Sequence, residues 1–292
     1  MDDLYHQTMT ALEQSLHCRL IASELDLDRG VLVRDASDQQ ILALAQASSF
    51  SRVPLGTLDD QSDWTITHVA LVDLERRMVQ ERRPITVEDV ISGSTPIGMA
   101  FELLSVRPFY FILDPCRIQR ILTQSDLNRL PVRTYLHTLL DHVEELLAGW
   151  CERLYPHDGW IDCLAQDAQE RIQELHRTKQ EADLDTRLVD CTTLSDKGNI
   201  LGRSPAFLNQ LQLTSRRTFR KEFSPVKGLR DRLDHGLPPL ETAADELRNA
   251  LRHVAPLSNR KDLARLNRVV GTLHAWIGAL SGPDEAAADH DA

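Results

Sequence analysis

The spacing of hydrophobic positions changes at about residue 130, and the change separates two kinds of structure. Before it, short runs of β-branched and aromatic residues alternate with segments whose apolar residues recur every three or four positions. The short runs are typical of strands, and the spacing of three or four positions is typical of helices. The predicted elements, in the order strand, helix, helix, strand and strand, occupy residues 31–35, 39–48, 95–105, 108–114 and 117–123. A further helix should begin at Gln124, and Thr95 is suited to cap the helix that opens with Pro96.

From Pro131 onward the helical period continues almost to the end of the chain. Residues 131–155 place leucines and valines three and four positions apart, and the leading proline suits a helix start. Later helices, separated by glycine and proline, are predicted at residues 160–180, 185–202, 215–234, 240–254 and 259–280. The pattern therefore favours an α+β protein. It has an N-terminal α/β domain over residues 1–130, an all-α helical bundle over 131–281 and a disordered acidic tail over 282–292.

The composition of the 292-residue chain is ordinary for a globular protein, with 26% charged residues. No apolar run reaches the length of a membrane span and the N-terminus lacks a basic, hydrophobic leader, so we expect a cytoplasmic protein without membrane contact. The five cysteines are odd in number, widely spaced and free of CxxC pairs. They predict buried, reduced thiols and no metal site.

The net charge of −11 hides a basic island in an otherwise acidic chain. Residues 204–268 hold 13 Lys and Arg against 7 Asp and Glu. Such an island can be the footprint of a polyanion, although a solvated helix face is the other interpretation. If RNA binds here, its phosphates should meet the basic run 215–221. The candidate RNA contacts are Arg216, Arg217, Arg220 and Lys221.

The end of the predicted strand 117–123 carries side chains that suit a nucleotide. A strand end facing a helix N-terminus offers backbone N–H groups and the Thr123 hydroxyl to a phosphate. Asp126, three residues later, can accept hydrogen bonds from ribose hydroxyls. Alternatively, Thr123 simply caps the helix and Asp126 is an acid in its first turn.

Residues 108–127, with this Thr123-x-x-Asp126 sequence, resemble the second half of a cystathionine-β-synthase (CBS) domain. The resemblance implies a tandem pair of CBS repeats and an adenine nucleotide, AMP or ATP, as a regulatory ligand rather than a required cofactor. Thr95 is a third candidate ligand contact. The sequence departs from the family pattern in two places: Arg120 replaces a usual glycine, and Ala70 stands where the first repeat would have threonine. At most one nucleotide site per chain is therefore expected.

The stretch GLRDRLDHG, residues 228–236, contains an arginine followed five positions later by histidine. Such pairs are short enough that about one is expected by chance, and the chain has three of them. They are Arg171–His176, Arg230–His235 and Arg248–His253. His235 differs from the other two histidines because Gly236, a residue typical just past the end of a helix, follows it directly.

This stretch resembles the HEPN family, helical-bundle proteins with an Arg-polar-x-x-x-His motif, many of which are metal-independent ribonucleases. The resemblance implies that Arg230 stabilises the negative charge of the phosphorane, Asp231 fills the polar position and His235 transfers protons. One histidine cannot easily be both acid and base, so a homodimer is expected. The open alternative is a capped helix end with no catalytic role.

The predicted function is therefore RNA cleavage, in defence or stress, gated by an adenine nucleotide and independent of metal. The alternative is a non-catalytic, ligand-sensing dimeric scaffold that binds a partner. An apolar stripe along residues 131–150, longer than one bundle face needs, also favours a homodimer.

Overall fold

The computed structural model describes residues 15–25, 30–48, 51–58, 64–236 and 258–281. Within them two small β-sheets precede a helical region, so the α+β class expected from the sequence is confirmed. The chain divides into two compact units between Val132 and Arg133, two residues beyond the expected boundary. We call the described residues 15–132 the α/β unit and those from Arg133 the helical unit.

The described strands all lie in the α/β unit. They are β1 Ser23–Glu24, β2 Leu32–Val33, β3 Arg52–Leu58, β4 Trp64–Asp73, β5 Met78–Pro84, β6 Val90–Ser92, β7 Phe109–Leu113 and β8 Ile118–Thr123. The unit's α-helices are α1 Cys18–Ile21, α2 Asp38–Ser48 and α3 Ile97–Val106, and its 3₁₀ helices are Val87–Asp89 and Gln124–Asn128.

Both sheets have the same arrangement of parallel and antiparallel neighbours, although the fourth strand follows the first three in the chain in one sheet and precedes them in the other. One has the order β2-β3-β4-β5 and the other the order β6-β7-β8-β1. In each, the first pair of strands is parallel and the two later pairings are antiparallel. A helix connects each parallel pair, α2 in the first sheet and α3 in the second. The α/β unit therefore contains an internal structural repeat, β2-α2-β3-β4 followed by β6-α3-β7-β8.

Two hydrophobic clusters hold the α/β unit together. In the first, Ile41 and Ala45 of α2 pack with Val53 and Leu55 of β3. In the second, Val69 of β4 packs with aromatic and branched residues of the other sheet, Phe109, Phe111 and Ile121. The second cluster brings the two sheets of the unit into contact, because its members come from both.

The elements of the second repeat follow the expected order of helix, strand, turn, strand and helix. Three details of the predicted elements were wrong, two in the second repeat and one in the first. The helix α3 begins at Ile97 with Pro96 as its N-cap, so Thr95 does not cap it. The strand predicted at 31–35 is only Leu32–Val33. The helix expected from Gln124 is a single short 3₁₀ segment.

The remaining helices lie in or lead into the helical unit. They are α4 Leu130–Leu154, α5 Gln166–Glu181, α6 Leu194–Leu201, α7 Pro205–Gln210, α8 Arg216–Asp234 and α9 Ser258–Leu280, with 3₁₀ segments Gly159–Cys163 and Leu188–Cys191. The helices predicted at 160–180 and 185–202 each begin with one of these 3₁₀ segments, and α7 was not predicted. The predicted helix 240–254 and the predicted tail 282–292 lie outside the described residues.

An aromatic cluster forms the centre of the helical unit. Phe219 of α8 lies 5.7 Å from both Phe207 and Trp276, measured between ring centroids, and 5.2 Å from Phe223. A Cβ on Gly198 would lie 2.4 Å from the Phe223 ring, so α6 can approach α8 only because this residue is glycine. These contacts fix α8, the helix that carries the Arg230–His235 pair.

The apolar stripe on α4 is already buried within a single chain. Its leucines and valines at 132, 136, 139, 140, 143 and 147 are each fully inaccessible to solvent. The stripe therefore offers no uncovered apolar face to a second copy, and the homodimer stays a prediction without this support.

Candidate functional sites

A cavity of about 210 Å³ in the α/β unit is lined by residues from both sheets. Its walls come from β1 and β8 on one side and from α2 and β3 on the other. The lining residues are Ser23, Glu24, Leu25, Gly30, Leu44, Ser48, Arg52, Val53, Pro54 and Ile121. Most of this lining is apolar with a few polar groups, the composition typical of small-molecule sites.

Arg52, the first residue of β3, is the cation of this cavity. Its guanidinium carbon lies 5.4 Å from the centre of the Phe109 ring, and Nη1 donates to Ser51 Oγ at 2.6 Å. Burial lowers the pKa of Arg52, and no carboxylate of the described residues pairs with it. Glu24, which lines the same cavity, pairs with Arg120 instead. An anion in the cavity would therefore compensate a charge that has lost part of its hydration.

Thr123 and Asp126, the predicted nucleotide contacts, are bonded to each other. Asp126 Oδ2 accepts from the Thr123 backbone N–H at 2.7 Å and from its hydroxyl at 2.8 Å. The other oxygen, Oδ1, accepts from Ser23 Oγ at 2.8 Å and lies 3.1 Å from Arg129 Nε. The side chain of Asp126 is only 3% exposed. Both residues thus have the capping role that was the alternative to ligand binding, and Ser23 links them to the cavity.

The same Thr-x-x-Asp arrangement occurs at two other helix starts. Asp89 accepts from the N–H and the hydroxyl of Thr86, both at 3.0 Å. Asp196, in the helical unit, accepts from the same two groups of Thr193 at 2.9 and 2.8 Å. Each aspartate also pairs with an arginine, as Asp126 does. Three uses in one chain show that the pattern alone specifies a cap, so ligand contact by Thr123 and Asp126 stays a prediction.

Thr95, the third predicted ligand contact, takes part in backbone pairing. Its N–H donates to the Ser92 carbonyl at 3.0 Å, and its own carbonyl accepts from the Cys18 N–H at 2.7 Å. Neither Thr95 nor Asp126 is among the residues that line the cavity. In the first repeat, Asp73 accepts from the N–H groups of Glu75 and Arg76 in the turn after β4.

Arg230 in the helical unit is surrounded by carboxylates. Its Nη1 donates to Asp141 Oδ1 at 2.5 Å, while Nε lies 3.1 Å from Asp234 Oδ2 and 3.6 Å from Glu144 Oε1. Burial acts to lower the pKa of Arg230, but the three carboxylates outweigh it and the pKa is raised. Asp231, the predicted polar position, pairs with Lys227 at 3.1 Å. This arginine therefore ties α8 to α4, and its donors are engaged by acids.

His235 stands where the sequence placed it, at the open end of α8. It is exposed and forms the C-cap of the helix, and Gly236 follows with a φ of +69°, a left-handed conformation that favours glycine. The pair Arg171–His176 is engaged elsewhere: Arg171 binds Asp196 and His176 Nε2 lies 2.9 Å from the Thr186 carbonyl. The third pair, Arg248–His253, lies outside the described residues.

The basic run lies at the opposite end of α8 from His235. Arg217, Arg220 and Lys221 are exposed and Arg216 is half-buried. Partial burial and the nearby cations Arg220 and Arg203 lower the pKa of Arg216. The first turn of α8 contains no acid although helix N-termini favour negative charge, so this run lies against the helix dipole. A bound polyanion would offset that cost, and RNA contact by this run stays a prediction.

Cysteine burial agrees with the sequence at three of five positions. Cys18, Cys151 and Cys191 are buried, whereas Cys116 is exposed and Cys163 is half-buried. Burial raises the pKa of Cys18 and of Cys151 to about 12, so neither thiol is activated. Among the described residues, no group of three or more His, Cys, Asp or Glu side chains is placed to hold a metal ion. No helix in that part of the chain is long and apolar enough to cross a bilayer.

Comparison with known proteins gives this chain no family. No protein-family model matches it, and no curated protein sequence does. The resemblances to CBS domains and to HEPN proteins therefore stay predictions, and the geometry of the two units is what supports a function.

Proposed function

We propose that the chain is a ligand-sensing protein whose α/β unit takes a small anionic molecule with a flat apolar part into the cavity at Arg52. One observation carries this proposal. A half-buried guanidinium lines a mostly apolar cavity, and no carboxylate of the described residues compensates it. Partly desolvated cations in apolar cavities are candidates for binding because an anionic ligand supplies the missing counter-charge.

The chemistry of the lining indicates how such a ligand would sit. Leu25, Val53 and Ile121 offer apolar contacts to a planar ring, and Arg52 would hold a phosphate or carboxylate. The volume of about 210 Å³ suits one ring system with its charged end at Arg52. The resemblance to CBS domains makes AMP and ATP the first compounds to test. In this arrangement Thr123 and Asp126 would position Ser23 rather than meet the ligand themselves.

Calorimetric titration of the full chain with AMP and with ATP tests the proposal. We expect the wild type to bind at least one of them and Arg52→Met to bind about 10- to 100-fold more weakly, because a hydrogen bond to a charged group is lost. Arg34→Met, which removes an exposed arginine from the same unit, is the control and should bind as the wild type does. Absence of binding to the wild type, or equal weakening by both variants, would contradict the proposal.

A second candidate function, RNA cleavage by the Arg230–His235 pair, is favoured by a separate observation. His235 is exposed at a helix end opened by Gly236, on the same helix as the basic run. An accessible imidazole can transfer protons near neutral pH. Arg230 would have to exchange a carboxylate for the substrate's phosphate, since its donors are engaged in this chain. A homodimer would supply the second histidine.

Cleavage assays with purified protein distinguish the two candidate functions. A nuclease of this kind should lose its activity in His235→Ala and retain it in His176→Ala, whose side chain contacts the Thr186 carbonyl. Activity should survive EDTA, and the products should end in a 2′,3′-cyclic phosphate. Cleavage that persists in His235→Ala, or that stops with chelator, would leave the ligand-sensing scaffold as the better description.

A further inference from the structure

A continuous groove runs along the helical unit between α8 and α9. It comprises a wide part of about 640 Å³ and a narrow part of about 130 Å³. The two parts share the lining residues Pro225, Arg265 and Val269, so they form one feature. Along α8 it extends from Thr218 to Arg232, about 21 Å at the rise of an α-helix. The wide end lies beside the basic run, and the narrow end stops three residues before His235.

Cations line both walls of this groove. Lys221 and Arg232 come from α8, and Arg265 and Arg268 come from α9. Two acids, Glu222 and Asp262, line it as well, so positive charge is in excess. Lys221, Arg265 and Arg268 make no ion pair with a carboxylate in the part of the chain that the structure describes. This arrangement contrasts with Arg230, which lies on the same helix and has three carboxylates around it.

The floor of the groove is apolar. Pro225 and Val269 lie where the two parts join, and Leu229 and Leu266 line the narrow part. Gly228 lines the α8 side of the groove without a side chain, and a Cβ built on it would lie 4.0 Å from an Arg265 Nη atom. Cationic walls above an apolar floor suit a flexible polyanion whose phosphates bind the walls while its sugars and bases contact the floor.

We propose that the α8–α9 groove binds the backbone of a single-stranded nucleic acid, with Arg265 and Arg268 of α9 as phosphate contacts opposite Lys221. The length of the groove corresponds to about six nucleotides at a stacked rise of about 3.4 Å. The basic run at the start of α8 extends the positive surface beyond the wide end. The site is separate from the cavity at Arg52. It deepens the ribonuclease candidate by naming its substrate class, single-stranded RNA, and by leading that substrate toward His235.

Binding of a fluorescent 12-nucleotide 2′-O-methyl RNA, followed by anisotropy with the full chain, tests the groove. This RNA lacks the free 2′-hydroxyl, so binding is measured whether or not the protein cleaves RNA. We expect Arg265→Gln/Arg268→Gln to bind at least about tenfold more weakly than the wild type at low salt. For this variant, the slope of log affinity against log salt concentration should be smaller in magnitude by about 1.4, because two phosphate contacts on a single strand are lost.

Two further variants separate the groove from net charge and from misfolding. Arg177→Gln/Lys179→Gln removes the same charge from α5 and should change binding less than twofold. Arg265→Lys/Arg268→Lys keeps the charge and should bind within about threefold of the wild type, because a lysine also binds phosphate. Circular dichroism and urea unfolding of each variant confirm the fold.

Several results would overturn the proposal. One is equal binding by the wild type and Arg265→Gln/Arg268→Gln, and another is equal weakening by the α5 variant. A 12-residue polyglutamate peptide that displaces the RNA at equal concentration would show that the groove recognises acidic protein segments instead. Tighter binding of the matching duplex would contradict single-strand recognition. A different outcome separates the two functions. If His235→Ala loses RNA cleavage but binds the 2′-O-methyl RNA as the wild type does, the groove binds RNA and catalysis lies at the end of α8.

Discussion

Arg52 and Arg230 are both drawn partly out of water, yet the chain compensates their charges in opposite ways. Arg52 contacts an aromatic ring and a serine hydroxyl at the wall of a cavity, and none of the described carboxylates pairs with it. Arg230 has three carboxylates within 3.6 Å and lines neither the cavity at Arg52 nor the α8–α9 groove. The first arrangement lacks a counter-ion, whereas the second has more acids than one cation can neutralise.

The difference separates an arginine suited to binding from one suited to joining helices. Arg187 supports this interpretation, because it too lies between three carboxylates, those of Glu145, Glu152 and Asp190. Thus acids of α4 pair with two arginines. One is Arg230 of α8, and the other is Arg187, the N-cap of the 3₁₀ segment Leu188–Cys191. Such a network stabilises the packing of elements when every member is paired.

The largest expected effect is on stability, from Arg230→Met. Loss of the guanidinium leaves Asp141, Glu144 and Asp234 without their common ion-pair partner, and of the three acids only Glu144 keeps a nearby cation, Lys197, that acts on its pKa. We expect the free energy of unfolding at pH 7 to fall by about 2 kcal/mol, less than for a fully buried pair because these groups are partly exposed. Urea denaturation measures it. Arg177→Met, which breaks one exposed pair with Glu174, should cost less than about 0.5 kcal/mol. Equal costs would remove the contrast between Arg230 and an ordinary surface arginine.

The pH dependence of the stability loss in Arg230→Met tests whether the charge of Arg230 or its packing stabilises the protein. Burial raises the pKa of Glu144 and the neighbouring Asp141 and Asp234 add to the rise, while Arg230 and, less strongly, Lys197 oppose it. A carboxyl whose pKa is higher in the folded than in the unfolded protein costs stability at neutral pH, and the cost disappears as the pH falls from the folded pKa to the unfolded one. Without Arg230 the pKa of Glu144 should rise further. The difference in unfolding free energy between wild type and Arg230→Met should therefore shrink by about 1 kcal/mol between pH 7 and pH 4. A difference that stays constant would mean that packing, not charge, is what Arg230 contributes.

Much of the fold was predictable because burial leaves a periodic trace in the sequence. The stripe of α4 and the apolar runs of β7 and β8 gave their elements to within two residues. The strands β1, β3, β4, β5 and β6 were not predicted. β1 and β6 are only two and three residues long. β5 has three charged residues among its seven and lies at a sheet edge, where alternation of apolar side chains is not required. The helix α7, of six residues, is too short to show a helical period.

The sites were harder to predict, since they depend on which distant residues become neighbours. His235 and Gly236 were found because a helix end is a local feature. The acids around Arg230 come mainly from α4, 86 to 89 positions earlier in the chain, and no spacing rule reports such a contact. Arg52 gave only one signal, an arginine beside the apolar residues Val53, Pro54 and Leu55, and this is too common to identify a site. The cations Arg265 and Arg268 became notable only when α9 was placed beside α8.

Arg52→Met should change stability less than Arg230→Met, and with the opposite sign. Methionine keeps much of the aliphatic volume and removes a partly desolvated charge that no described carboxylate neutralises. We expect the ligand-free protein to be unchanged or more stable, by up to about 1 kcal/mol, in urea denaturation at pH 7. A loss as large as that of Arg230→Met would show that Arg52 has a structural partner, and the contrast between the two arginines would fail.

The smallest effect on stability is expected from His235→Ala. The imidazole is exposed at the C-cap of α8, and the bonds that end the helix are made by backbone groups: His235 N–H donates to the Asp231 carbonyl and Gly236 N–H to the Leu233 carbonyl. Alanine leaves these bonds in place, so the free energy of unfolding should change by less than about 0.5 kcal/mol. Gly236→Ala is the control on the same turn, and its φ of +69° should make it cost about 1 kcal/mol. If His235→Ala proves as costly as Gly236→Ala, the histidine has a structural contact. Loss of RNA cleavage in that variant could then no longer be assigned to proton transfer.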